Sequence, residues 1–394
     1  MEYSINPDVN RVIAPPMAEV ASWLDGSERS DDRPVLDLSQ AVPSYPPAQQ
    51  LRDHLAAEVD RPAMARYTPI AGNEELRVEL ADRTSALYGG DVSGSDCWIT
   101  AGCNQAFCVA LQAIAGPGDE VILPLPYYFN HQMWLAMSGV QDVHLPFRAD
   151  RAGEPDPADA AARVTSRTRA IVLVTPNNPT GAVCRPETVR AFYEVARDRG
   201  VALVLDETYR DFLSPEDPPH DTFREPDWRD TFVHLYSFSK TFALAGYRVG
   251  AIVSGPRLLD AVGRIMDTVA ICAPGIGQAA ALYGLRHLHD WVANKRALIE
   301  SRRRAMVDAL AASQTGFRTI SAGPYFAYVE HPFTDQTAIQ VARELATSQS
   351  LLTVPGSVFG SQQERHLRLA FANVSADSMT QVVSRLDAIA IADR

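Results

Sequence analysis

The sequence of 394 residues lacks the features that direct a chain into or across a membrane. It has no apolar run of the roughly 20 residues that a membrane-spanning helix requires. The segment from Met1 to Arg11 is polar and carries Glu2 and Asp8, whereas a signal peptide has a basic region followed by an apolar one. We therefore expect a cytoplasmic protein with no membrane role.

Cysteine is scarce, and its spacing excludes two common kinds of site. The five cysteines are Cys97, Cys103, Cys108, Cys184 and Cys272. None forms a C-x-x-C pair, so neither a zinc site nor a thioredoxin-type motif is supported. His287 and His289 lie in a polar stretch and are more typical of a surface than of a metal site. We expect free thiols and no bound metal.

Basic residues are outnumbered, with 36 Lys and Arg against 48 Asp and Glu, and the net charge is −12. This balance disfavours nucleic acid and anionic membranes as partners, because both need a basic face. The net charge does not indicate the charge of a small substrate, because a substrate is affected only by the charged groups near its binding site. The hydrophobic fraction of 46% is ordinary for a globular protein, and a chain of this length usually forms two domains.

The central part of the chain alternates between apolar runs of strand length and helical segments. The predicted strands are Glu120–Leu125, Ala170–Val174, Val201–Leu205, Thr231–Tyr236 and Arg248–Val253. Helices are predicted from Leu76 to the Gly89-Gly90 stop and from Pro186 to Arg199. Strands that are apolar on both faces and alternate with helices predict an α/β fold with a mostly parallel sheet covered by helices.

The pattern changes in the last hundred residues, where helices and strands no longer alternate regularly. The predicted elements there are a long charged helix over Trp291–Ala312, strands at Tyr325–Val329 and His366–Ala372, and helices near Thr337–Thr347 and the C-terminus. A short helix is also predicted near Met17–Leu24. We expect a large domain over 45–288 and a smaller α+β domain built from 1–44 and 289–394.

Four polar segments follow strands or begin helices. They are Ser237-Phe238-Ser239-Lys240 with Arg248 eight residues later, Thr175 to Gly181, Leu205 to Tyr209, and Thr100 to Gln105. Ligands gather at the carboxyl ends of parallel strands, and hydroxyls with a lysine and an arginine suit a phosphate. Each segment also has a plain structural interpretation: a basic surface loop, a turn, a helix cap at Asp206, and an ordinary helix start.

In combination and in this order, the segments resemble the fold-type I enzymes that use pyridoxal 5′-phosphate (PLP), specifically the class I and II aminotransferases. Ser237 to Gly250 satisfies the lysine signature of that family at every constrained position. The matching segments in chain order are Tyr67-Thr68-Pro69, Gly102 to Asn104, Asn178 to Gly181, Asp206 with Tyr209, Lys240, Arg248, Val354 to Gly360, and Leu367 to Ala372. The resemblance spans nearly the whole chain.

The resemblance implies roles for the residues around the PLP ring. Lys240 is expected to hold PLP as a Schiff base and, once substrate frees it, to carry the proton in the transfer step. Asp206 is expected to pair with the pyridine nitrogen, and Tyr209 and Asn178 to hydrogen-bond the 3′-oxygen of the ring. Tyr128 is expected to stack on the ring, although a core tyrosine or a shift to Tyr127 would explain it as well.

The resemblance also implies a phosphate site and a dimer. The phosphate is expected to meet the N–H groups of Gly102, Cys103 and Asn104, the Ser237 hydroxyl, and Arg248. Tyr67 is expected to reach the phosphate of the neighbouring subunit, so the protein is predicted to be a homodimer with shared active sites.

Substrate binding is assigned to three residues. Arg368 is expected to grip the α-carboxylate of the substrate as a two-pronged donor, assisted by Asn178. Ala41 stands where the family usually has a glycine that lets the backbone approach the substrate. Its methyl group would narrow the pocket or shift the loop.

The favoured function is an aminotransferase that moves an amino group between an α-amino acid and a 2-oxo acid. A PLP-dependent lyase, cyclase or oxidase-like enzyme would share every residue named above. A transcription regulator with an aminotransferase-like domain would need a DNA-binding domain, and only about forty residues precede the matching core. Arg11, Arg264 and Arg286 are candidates for a second substrate carboxylate, although no motif supports them, and Tyr127, Tyr128 and Trp23 fit either a bulky substrate or core packing.

Overall fold

The computed structural model describes residues 3–25, 33–217, 219–313 and 315–392. The helices are α1 Pro7–Asn10, α2 Pro16–Ser22, α3 Gln49–Val59, α4 Glu74–Tyr88, α5 Cys103–Ile114, α6 Phe129–Met137, α7 Pro157–Ala161, α8 Pro186–Arg199, α9 Trp228–Thr231, α10 Phe238–Thr241, α11 Pro256–Val269, α12 Gly275–His287, α13 His289–Ala312, α14 Ala338–Gln349 and α15 Met379–Ala392. The strands are β1 Leu36–Asp37, β2 Cys97–Thr100, β3 Glu120–Pro124, β4 Gln141–Leu145, β5 Thr168–Val174, β6 Ala202–Asp206, β7 Phe232–Ser237, β8 Gly250–Val253, β9 Arg318–Ala322, β10 Phe326–Glu330, β11 Leu351–Leu352, β12 Val354–Pro355 and β13 His366–Ala370.

A seven-stranded sheet forms the centre of the larger layer, in the order β2-β8-β7-β6-β5-β3-β4. Its strands are parallel except β8, which runs antiparallel to both β2 and β7. One face packs on α4, α8 and α12, and the other packs on α5 and α11. This arrangement is the predicted α/β sheet covered by helices, and it explains why β6 and β7 are almost wholly apolar and buried.

A second layer holds a four-stranded antiparallel sheet in the order β12-β13-β10-β9. Beside it, β1 pairs in parallel with β11, so Leu36 lies opposite Leu351. One hydrophobic cluster combines Val20 and Leu38 with residues of α13, α14 and α15. Both ends of the sequence therefore share a core, although the domain boundaries stay a prediction, and the predicted outer limits at residues 1 and 394 lie outside the described residues.

Several predicted element bounds were wrong by a few residues. The strand expected from Arg248 begins at Gly250, because Arg248 has a left-handed backbone with φ of 52°. The strand expected to reach Ala372 ends at Ala370, where a 3-10 turn begins. Strands β2, β4 and β9 were not predicted.

Within the described ranges, no helix is long and apolar enough to cross a membrane. The same ranges contain no group of three or more His, Cys, Asp or Glu side chains placed to hold a metal ion. All five cysteines are free.

Candidate active site

A cavity of about 240 Å³ lies at the carboxyl edge of the large sheet. Val174 and Asp206, the last residues of β5 and β6, line it, together with Ser237 at the end of β7. Because β8 runs the opposite way, its first residue lies at this same edge, and the preceding Arg248 enters the cavity. The sheet topology therefore collects segments that are far apart in the sequence.

Most of the predicted site residues meet in this cavity. Those that line it are Ala41, Cys103, Asn104, Tyr128, Asn178, Asp206, Tyr209, Ser237, Lys240, Arg248 and Arg368. Gly102 lies directly behind the lining at the start of α5, against the Arg248 guanidinium. Tyr67 does not line the cavity and is 78% exposed. Tyr127 also lies outside it and packs beside His144.

Lys240 lies in the short helix α10, where the Ser237 hydroxyl accepts a hydrogen bond from the backbone N–H of Ser239. Burial, together with the positive charges of Arg368 and Arg248, lowers the pKa of the Lys240 amine to about 8. The amine is therefore neutral far more readily than an ordinary lysine, which is what a nucleophile requires. Lysine is rare in this chain, and Lys295 is the only other one.

Asp206 is buried and is held by polar contacts on both carboxylate oxygens. The backbone N–H and hydroxyl of Thr208 donate to Oδ1 at 3.0 and 2.7 Å, and Nε2 of His131 lies 3.5 Å from Oδ2. Burial opposes the negative charge, but His131 and Thr208 outweigh it and hold the pKa of the Asp206 carboxyl below its ordinary value. Asp206 therefore stays ionised although it is buried away from water.

The Arg248 side chain is fixed beside the start of α5. Its guanidinium donates to the carbonyls of Ala245 at 2.9 Å and Ala101 at 3.2 Å. A Cβ on Gly102 would lie 2.3 Å from Nη2 of Arg248, and Gly102 has φ of +89°. A residue with a side chain would therefore displace the arginine from the helix N-terminus, where N–H groups and a cation together favour an anion.

Arg368 comes from β13 in the small sheet and is almost completely buried. Nη1 donates to Oδ1 of Asn178 at 2.9 Å, and Nη2 donates to the carbonyl of Ser39. Nε of Arg368 has no hydrogen-bond partner. Among the described residues, no carboxylate forms an ion pair with the Arg368 guanidinium. Burial lowers the pKa of the Arg368 guanidinium to about 10.

Aromatic side chains close the cavity on two sides. Tyr128 donates a long hydrogen bond of 3.5 Å to Asn104, and burial raises its pKa to about 12. Tyr209 packs against Tyr325 and Phe326, and burial raises its pKa as well. Both hydroxyls therefore stay protonated near neutral pH and can donate hydrogen bonds.

Several residues that the structure places at the site had no role predicted from the sequence. The additional lining residues are Met17, Gln40, Val42, Phe129, Val174, Thr208, Ser239 and Ala245. His131, which contacts Asp206, was also missed. Its position three residues after Tyr128 offered a signal, because residues at that spacing share a helix face and Tyr128 was already a candidate.

The lining has the donors and acceptors that PLP requires. An amine with a lowered pKa suits the aldehyde, an ionised buried carboxylate suits the ring nitrogen, and the Gly102 and Arg248 pocket suits the phosphate. The fold and the site together define a PLP-dependent enzyme of fold type I.

Comparison with known proteins gives the family. The family described as aminotransferase class I and II matches residues 33–386, so this chain belongs to it. A putative aminotransferase, YugH of Bacillus subtilis (strain 168), is 29% identical over 357 residues, covering 89% of this chain and 90% of that protein. Aromatic aminotransferase ISS1 of Arabidopsis thaliana is 27% identical over 362 residues, covering 89% and 88%.

The solved structures agree with this assignment. Aspartate aminotransferase from Thermus thermophilus with maleate has a TM-score of 0.89 and 24% identity, covering 98% of this chain and all of that one. This similarity confirms the predicted fold, and the family match confirms the predicted enzyme class and cofactor. The protein is a PLP-dependent aminotransferase, which exchanges an amino group between an α-amino acid and a 2-oxo acid.

Proposed function

We propose that the cavity at the carboxyl edge of the large sheet is the site of amino-group transfer, with Lys240, Asp206 and Arg368 as its central residues. The observation that carries the proposal is the state of Arg368. A buried guanidinium without a carboxylate partner is costly, and its Nε has no acceptor. The α-carboxylate of an amino acid would supply the missing charge and acceptors.

Lys240 is the residue proposed to move the proton at the substrate Cα. Its pKa of about 8 lets the same amine release and accept a proton near neutral pH. When bound, PLP supplies a ring that withdraws electrons from the substrate Cα. Asp206, ionised and fixed by Thr208 and His131, would maintain the proton on the ring nitrogen.

The remaining predicted residues would orient the cofactor. Tyr209 and Asn178 would donate to the 3′-oxygen of the ring, and Tyr128 would pack on its face. The phosphate would be held by the N–H groups of Gly102, Cys103 and Asn104, the Ser237 hydroxyl, and Arg248. Ala41 lines the same cavity and would contact the substrate.

Borohydride trapping tests the role of Lys240 directly. Reduction of the PLP-loaded protein should fix the cofactor on one peptide, and mass spectrometry should place it at Lys240. Lys295→Arg removes the only other lysine of the chain and should leave the label unchanged. Label that persists in Lys240→Ala, or a wild-type protein that takes up no PLP, would contradict the proposal.

A half-reaction experiment tests the chemistry. An amino acid is mixed with the PLP-loaded enzyme, and conversion of the cofactor to pyridoxamine phosphate is followed by absorbance while ammonia is assayed. Conversion without ammonia, reversed by a 2-oxo acid, is expected for amino-group transfer. Release of ammonia without an acceptor would indicate the lyase alternative.

We also propose that the enzyme is a homodimer in which Tyr67 of each subunit reaches the phosphate of the other. The support is the position of Tyr67, which is 78% exposed and outside the cavity of its own chain. If Tyr67 contacts the phosphate, it does so from a neighbouring subunit, because it does not line the cavity of its own chain.

A cytoplasmic location is the accompanying proposal. The five cysteines, which are all free, suit a reducing compartment. Cell fractionation followed by immunodetection tests the location, and recovery in a secreted fraction would contradict it.

A further inference from the structure

Each cationic side chain that lines the cavity has a role under the proposed function. Those that line it are Lys240, Arg248 and Arg368. Under the proposed function, Lys240 holds the cofactor, Arg248 its phosphate and Arg368 the α-carboxylate of the substrate. Within the part of the chain that the structure describes, no cation of the lining is left for a second carboxylate on the substrate.

Three arginines were candidates from the sequence for binding a second substrate carboxylate. None of them lines the cavity. Arg11 forms a surface ion pair with Asp8. Arg286 is held by Glu75 and Glu79 at 3.0 and 3.2 Å. Arg264 lies on α11, which contributes no residue to the lining.

The wall next to Arg368 is apolar. The sulfur of Met17, on α2, lies 3.9 Å from Nη2 of Arg368. Met17 and Phe129 both line the cavity and belong to one apolar cluster, in which Phe129 packs 5.8 Å from Phe359. A substrate whose carboxylate meets Arg368 would therefore extend its side chain over hydrocarbon and sulfur.

The exposed end of the cavity lining, called the mouth below, carries no charge. Gln40, Ala41 and Val42 line it with neutral side chains, and Val42 is 40% exposed. A charged substrate side chain held against Met17 and Phe129 would lose water and gain no opposite charge, which is unfavourable. An apolar one would gain by leaving water.

We propose that Met17, Val42 and Phe129 form the subsite for the substrate side chain, and that the amino donor is a neutral amino acid with an apolar or aromatic side chain. This inference rests on the proposed function, because it takes Arg368 as the site of the α-carboxylate. It makes Met17 a residue that determines specificity, since Met17 touches both Arg368 and the apolar wall.

The half-reaction rate constants of the PLP-loaded wild-type enzyme test the substrate class. L-Phenylalanine, L-leucine and L-methionine are compared with L-aspartate and L-glutamate at the same concentration. The best neutral amino acid should exceed the better dicarboxylic one by about 100-fold, because a single methylene group in an apolar pocket already discriminates by roughly 10- to 200-fold. An advantage of less than about tenfold would overturn the proposal.

Variants of Met17 test the subsite itself. Met17→Arg supplies a cation and should lower the phenylalanine-to-aspartate ratio by about tenfold or more, and Met17→Ala should lower it by removing apolar contact. Met133→Ala is the matched control, since Met133 packs on the same apolar cluster without lining the cavity. A ratio that stays constant in both Met17 variants, or changes equally in Met133→Ala, would contradict the role of Met17.

The failures of the two proposals are distinguishable. If no amino acid converts the bound PLP, the proposed function fails and the substrate class with it. If aspartate or glutamate converts it as well as the neutral amino acids do, transfer stands and the apolar subsite is wrong. A partner subunit that brings a cation to the mouth would produce this second result.

Discussion

Three positive charges and one negative charge share the cavity, and their mutual effects are largest at Lys240. Burial and the charges of Arg368 and Arg248 all disfavour its protonated form. A group whose folded pKa is depressed to about 8 is neutral above that pH and protonated below it. The reactivity of this lysine is therefore set by Arg248, which precedes a strand of the large sheet, and by Arg368, which lies in the small sheet.

This depressed pKa predicts how the apoenzyme captures PLP. The rate of capture should rise with pH through about 8 and level off above it, because only the neutral amine attacks the aldehyde. Stopped-flow absorbance between pH 6 and 10.5 measures the profile. Arg368→Met removes one of the charges that lower the pKa and should move the inflection upward. An inflection at about pH 10.4, the ordinary pKa of a lysine, would contradict a lowered pKa of Lys240.

Gly102 gives a second prediction for a single residue. Gly102→Ala should weaken PLP binding by about tenfold or more, because its Cβ would push the Arg248 guanidinium away and its φ of +89° disfavours alanine. Titration of the apoenzyme with PLP measures this affinity. Gly116→Ala is the control, since a Cβ there meets nothing within 4 Å. Equal affinities of the two variants would show that the close approach has no role.

The motif residues of the site could be predicted from the sequence, and the wall of the substrate pocket could not. Lys240, Asp206 and Arg368 stand in segments whose order and spacing are characteristic. Met17 and Phe129 are ordinary apolar residues, and they acquire a role only because the fold brings α2 and α6 next to Arg368. No local pattern encodes a contact between residues so far apart.

At the scale of secondary structure, the loop after β5 and the turn before β10 touch through two glycines. A Cβ on Gly323 would lie 1.8 Å from the carbonyl oxygen of Gly181. Gly181 closes the loop that carries Asn178, which in turn contacts Arg368. This contact joins the large sheet to the small one directly beside the proposed substrate site.

Gly323→Ala should therefore disturb both stability and substrate binding. Backbone atoms cannot move aside as a flexible side chain does, so we expect Tm to fall by roughly 2 °C, as overpacking by about two kcal/mol would produce in a chain of this length. The KM for the amino acid should rise as Asn178 shifts. Calorimetry and steady-state kinetics measure the two effects against Gly116→Ala. A Tm equal to that of the control would refute the prediction.

Two of the missed strands, β4 and β9, differ in burial from the strands that were predicted. Strands β5, β6 and β7 lie in the interior of the sheet, and their continuous apolar runs were recognisable. Strands β4 and β9 lie at sheet edges and read Gln-Asp-Val-His-Leu and Arg-Thr-Ile-Ser-Ala, with only partial burial. Such strands are held by backbone pairing with a neighbour, which leaves little trace in their own residues.

At the scale of the whole molecule, the proposed dimer makes Tyr67 functional despite its exposure. Tyr67→Phe should weaken PLP binding by about tenfold, the effect of losing one hydrogen bond to a charged group. Tyr3→Phe is the control, because Tyr3 is 86% exposed and no role is assigned to it. Analytical ultracentrifugation should give twice the mass of the chain. A monomer, or equal PLP affinity in the two variants, would contradict shared active sites.

The parallel pairing of β1 with β11 also bears on how the enzyme matures during synthesis. The carbonyl of Ser39, just after β1, is an acceptor for Arg368, and β11 is among the last strands that a ribosome would release. The central sheet can assemble while translation continues. The wall of the proposed substrate pocket forms only after the segments that carry β1 and β11 have packed together. The newly made chain would thus form its cofactor pocket before it forms the pocket that discriminates between amino acids.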